Sequence, residues 1–88
     1  MRVSFEASFA RDLKGIKDRA LLRRLEQVIQ EAKTARALNE IKHLARMRSE
    51  AGFYRIRLGD YRVGIEVVGD HVIFVRILHR KDIYRYFP

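Results

Sequence analysis

The chain has 88 residues, 48% of them apolar, with one proline and no cysteine. That length supports one domain (1–88) with a single modest core, and the missing cysteine excludes disulfides and thiolate metal sites. Its 19 Lys and Arg against 11 Asp and Glu leave a net charge of +8, a surplus that suggests an anionic partner: nucleic acid, an acidic protein or a membrane surface.

The opening stretch MRVSFEASFARDLKG has no uninterrupted apolar run of the signal-peptide kind. No segment approaches the length that spans a bilayer, so a soluble cytoplasmic protein without a membrane partner is expected. Val3 and Phe5 alternate with polar neighbours and predict a short first strand. Ser8 is a candidate N-cap for a first helix carrying Phe9, Leu13 and Ile16 at helical spacing. A stronger helix is expected over residues 19–33, with Leu21, Leu25, Val28, Ile29 and Ala32 on one stripe. Leu38, Ile41 and Leu44 recur every three residues and suggest a short helical or looped cover over the core.

FYRIRLGDYR (Phe53–Arg62) reads as two strands joined by Gly59-Asp60, and Gly69-Asp70 marks a second turn. HVIFVRIL is apolar on both faces apart from Arg76, as an inner strand should be. Strand, two helices and a three-stranded meander make an α+β layer fold, β-α-α-β-β-β, with both helices on one face of an antiparallel sheet.

The two turns set the register. Arg57 then opposes Arg62, Arg55 opposes Gly64, and Arg62 faces Ile77. On that register His79 projects from the same face as Arg62, and Arg80 and Tyr84 follow as the chain leaves the sheet. Opposed arginines cost about 0.2–1 kcal/mol, whereas one charge-assisted hydrogen bond to a phosphate returns about 1.5–3 kcal/mol. The constellation Arg55, Arg57, Arg62, His79, Arg80 and Tyr84 is therefore read as an anion site rather than a solvated basic face. His43 and His71 are read as surface residues, and Tyr54, Tyr61 and Tyr86 as core or rim aromatics. No spacing of His or carboxylates fits a metal, and no cofactor is expected.

The order of elements, with YRIRLGDYRV and the closing HRKDIYRYF, resembles the RelE/ParE superfamily of bacterial type II toxins over nearly the whole chain. The resemblance implies a RelE-like small domain. It also implies a metal-free endoribonuclease that cuts mRNA in the ribosomal A site by attack of the RNA 2′-hydroxyl, and a small acidic antitoxin as partner. The family's site residues match Arg55, Arg57, Arg62, Arg80 and Tyr84, and His79 resembles a histidine of several branches. Arg57 and Arg62 would stabilise the phosphate and Arg55 and Arg80 orient the backbone. Tyr84 and His79 would share the roles of base and acid. Both hairpin basics are Arg where the best-known ribonuclease branch has Lys, and Leu78 stands where glycine is common. The alternatives are a ParE-like, non-enzymatic inhibitor of DNA gyrase, or a decayed RNA- or ribosome-binding module.

Overall fold

Strand β1 (Arg2–Phe5) leads into helices α1 (Ala7–Lys14) and α2 (Arg19–Thr34). A 3-10 turn at Leu38–Glu40 and strand β2 (Leu44–Arg46) then precede the meander β3 (Phe53–Leu58), β4 (Tyr61–Val68) and β5 (His71–His79). A four-residue helix α3 (Ile83–Tyr86) closes the computed structural model, which describes residues 1–88. The strands lie in the order β1-β5-β4-β3-β2. All pairs are antiparallel except β1, which runs parallel to β5. The fold is thus the expected α+β architecture, with one strand more in the sheet than the sequence suggested. β2 escaped notice because three residues are too few for alternation to register. It forms by pairing Leu44 with Ile56 and Arg46 with Tyr54.

α2 begins where Asp18 accepts a hydrogen bond from the Leu21 N–H at 3.1 Å, a cap that contributes about 1 kcal/mol. At its far end the α-amino group of Met1 donates to the carbonyls of Ala32, Lys33 and Ala35, placing positive charge on the negative end of the helix dipole. Leu21, Leu25 and Ala32 turn inward onto Ile56, Leu58, Val63 and Ile65 of the sheet. Phe9 of α1 packs on Phe74, ring centroids 5.5 Å apart. Each large apolar side chain buried this way contributes about 1.5–3 kcal/mol.

Ser8 does not cap α1. The helix starts at Ala7 with Glu6 before it, and no side chain caps it. β1 pairs with only the first half of β5, to Phe74, so the edge of β5 beyond that point needs other partners. α1 supplies them. The Ser8 hydroxyl donates to the Val75 carbonyl at 2.6 Å, and Asp12 accepts the Ile77 N–H at 3.0 Å. Asp12 also takes a two-pronged bond from Arg76, at 2.7 and 3.1 Å, which accounts for the single charge in an otherwise apolar strand.

Both turn assignments hold. Leu58 pairs with Tyr61, Arg57 with Arg62, Arg55 with Gly64, and Val68 with His71. The register between β4 and β5 corrects one expectation: Arg62 faces Leu78, not Ile77. A bulge between Gly64 and Ile65 shifts the pairing, so that Gly64 opposes Arg76 while Ile65 opposes Phe74. The extra residue, Val75, moves the end of β5 by one position and exchanges its faces.

A second, smaller core lies on the sheet face away from α2. Met47, Ile83 and Phe87 are buried there, with Phe53, Val75 and Leu78 packed against them. The ring of Phe87 sits directly on Gly64, where an added Cβ would lie 2.8 Å from three of its carbons. The bare glycine among the arginines is therefore the seat of the chain's C-terminal anchor, not an opening for ligand.

Candidate active site

Arg55, Arg57 and Arg62 project from the sheet beside this small core because they alternate with Tyr54, Ile56, Leu58, Tyr61 and Val63, which face the helices. The Arg62 guanidinium folds back to donate to the carbonyls of Gly59 (2.8 Å) and Tyr61 (2.9 Å), fixing it at the β3–β4 turn. Burial is the largest influence holding its pKa below the ordinary arginine value, followed by the charges of Arg55 and Arg57. Tyr84 acts in the opposite sense and Arg80 adds to the lowering. Arg57 lies directly opposite Arg62 across the hairpin. No carboxylate answers these arginines, since the molecule's ion pairs are Arg2–Asp70 and Arg76–Asp12.

α3 delivers Tyr84. Ile83 and Phe87 are buried in the second core, while Tyr84 between them is 65% exposed. The Arg55 guanidinium carbon lies 5.7 Å from the centre of its ring, a cation–π contact that orients the phenol over the basic face. Arg80 enters at the same end, its N–H donating to the Asp60 carbonyl at 2.8 Å. Of the expected residues, Arg55 and Tyr84 alone line the adjoining concavity of about 440 Å³, whose wall is completed by Arg46, Arg48 and Ser49 over a floor of Met47 and Phe87. Arg46 and Arg48 were missed in the sequence. Their signal was the R-M-R triplet, in which two basic residues flank one that β3 buries through the bond from the Met47 N–H to the Phe53 carbonyl.

His79 does not join this group. It pairs with Tyr61, their rings edge-on at 5.7 Å, and so belongs to the side opposite Arg62. The β4–β5 bulge, invisible in the sequence, is the reason. Its Nδ1 accepts the Lys81 N–H at 3.2 Å, which shapes the turn carrying Arg80. His43 is exposed, as expected. It holds a left-handed backbone (φ 63°) with its Nδ1 3.5 Å from the Arg57 guanidinium.

The helix-on-sheet fold recurs in known proteins. Residues 3–84 match the family described as ParE toxin of type II toxin-antitoxin system, parDE. The chain belongs to the RelE/ParE toxins. It is 43% identical to Toxin RelE3 of Methanocaldococcus jannaschii across the full length of both chains. The toxin in the crystal structure of a RelB-RelE antitoxin-toxin complex from Methanococcus jannaschii superimposes with a TM-score of 0.80 at 41% identity, over 96% of this chain and 98% of that one. The archaeal RelE-RelB complex from Pyrococcus horikoshii gives 0.72 at 22% identity, over 90% and 93%, and supports the fold alone. This toxin is accordingly RelE-like, and no helix in it is long and apolar enough to cross a membrane.

Proposed function

We propose that this RelE-like toxin is an endoribonuclease that cuts mRNA in the ribosomal A site. The observation that carries the proposal is the convergence of Arg55, Arg57, Arg62 and Arg80 on one face with the exposed Tyr84, without a carboxylate to neutralise them. RNA brings its own nucleophile. The bond from the 2′-oxygen to phosphorus forms as the bond to the 5′-oxygen breaks; one proton leaves the 2′-hydroxyl and one reaches the departing oxygen. Fixed cations are most effective where the phosphorane gathers charge. Arg62, anchored to two turn carbonyls, and Arg57 opposite it take that role. Arg55 and Arg80 orient the strand.

Tyr84 is the proton-transfer group in this reading, since it is the hydroxyl that the arginines surround. His79 becomes a positioning residue, holding the turn that carries Arg80 rather than touching the substrate. Charge stabilisation falls to the arginines in this reading. The partner proposed is a small acidic antitoxin that covers the basic face, by analogy with the RelB bound to the 41%-identical relative.

Mapping new mRNA 5′ ends after induced expression tests the reading. Cuts within translated codons, lost when translation is blocked, are the expected result. The family description names ParE, which keeps inhibition of gyrase as a second reading: DNA double-strand breaks with intact mRNA would establish it. Intact mRNA together with intact DNA would leave a binding module.

A further inference from the structure

A second cleft lies around the sheet edge from the active face, between α2 and the turn before β2. It holds about 230 Å³ and is lined by Arg24, Gln27 and Glu31 of α2, by Lys42 and His43, and by Arg57. β2 begins at Leu44, opposite Ile56, so Arg57 lies before its pairing and is shared by the cleft and the active face. The one carboxylate present, Glu31, is engaged by the Lys42 N–H at 2.7 Å, and neither Arg24, Lys42 nor Arg57 forms an ion pair. His43 is the only non-glycine residue of the chain in the left-handed region, a conformation that concentrates at functional sites. That backbone lets its carbonyl accept the Arg57 N–H at 3.1 Å while its ring meets the Arg57 guanidinium. Arg24 in turn reaches across the β3–β4 turn, its Nη1 3.0 Å from the position a Gly59 Cβ would take.

We infer that this cleft is a second phosphate subsite, with Arg24 and Lys42 holding the sugar–phosphate backbone of the RNA strand that passes over Arg57. The inference rests on the ribonuclease reading for the identity of the strand. RNA is favoured over an acidic peptide as the occupant because the cleft is continuous, through Arg57, with the face proposed to hold the scissile phosphate.

The test measures binding of a short single-stranded 2′-O-methyl RNA, which 2′-hydroxyl chemistry cannot cut, to the full chain across a salt series. For the double variant Arg24→Ala/Lys42→Ala, the slope of log affinity against log salt should flatten by about 1.4, at about 0.7 for each phosphate of a single strand that is no longer neutralised. The control Arg23→Ala/Lys33→Ala removes the same charge from exposed positions of α2 and should leave the slope near that of the parent. Equal flattening in both would reduce the effect to net charge and overturn the inference, as would no flattening in either. Loss of affinity for a polyglutamate peptide, with RNA binding unchanged, would assign the cleft to an acidic protein and overturn it as well. Because the probe is not cleaved, the subsite can stand if mRNA proves uncut in cells, and it can fail while cleavage is confirmed.

Discussion

Arg62 shows how a residue can be costly in the free protein and retained by its site. Its cost is repulsion from Arg55 and Arg57; against this it donates to two carbonyls of the β3–β4 turn. The two effects oppose each other at a half-exposed position, so Arg62→Ala should change unfolding free energy by less than about 0.5 kcal/mol while abolishing toxicity. Chemical denaturation beside a growth assay checks both, and a large loss of stability would make Arg62 structural. Tyr84→Phe keeps the ring under Arg55 and removes only the hydroxyl. Single-turnover cleavage of ribosome-bound mRNA should slow by about 10²–10⁴, with little change in ribosome affinity. Wild-type speed in Tyr84→Phe with failure in Tyr84→Ala would leave the ring a stacking surface. At position 43, glycine relieves the left-handed strain. His43→Gly should therefore leave stability unchanged or raise it by up to about 1 kcal/mol; a clear loss would show the imidazole holding Arg57 in place.

α3 is too short to be stable alone, and it is held by Ile83 and Phe87. The seat of Phe87 is Gly64, so the catalytic proposal for Tyr84 depends on a glycine three strand positions from Tyr61. Gly64→Ala places a methyl group against the ring and should cost about 1–3 kcal/mol. Hydrogen exchange of the Arg85, Tyr86 and Phe87 amides, which bond back to Asp82 and Ile83, should rise ahead of that of β5. Cleavage should fall with it. Unchanged exchange would mean that the ring finds another berth. At the opposite edge, Asp12 binds both Arg76 and the β5 backbone. Asp12→Ala leaves partly buried donors without an acceptor and should destabilise by about 1–3 kcal/mol, read as a shift in the denaturation midpoint without loss of the active face.

At the scale of the molecule, a charge of +8 with only two ion pairs leaves the basic surface free for a polyanion and draws it in at long range. An acidic partner competes for the same field. In complex with an antitoxin, Arg55, Arg57 and Arg62 should be protected from arginine-selective modification. An interface confined to the outer surface of α2 would contradict that expectation.

The alternation through Phe53–Val68 and the two Gly-Asp pairs determined the meander, its inner strand and the opposition of Arg57 to Arg62, because hairpin register follows from turn length and two-residue periodicity. The apolar stripe of α2 and the motifs around the arginines likewise placed the fold, within which five of the six candidate residues lie toward one face. What tertiary structure alone decided lies where distant segments meet. The β4–β5 bulge turned His79 away, β2 brought Arg46 and Arg48 to the rim, and Phe87 filled the space above Gly64. Local periodicity carries no trace of an inserted strand residue, nor of which ring will settle on a glycine. Those outcomes are settled by packing among residues far apart in the chain, and here they determine which side chains share the active face.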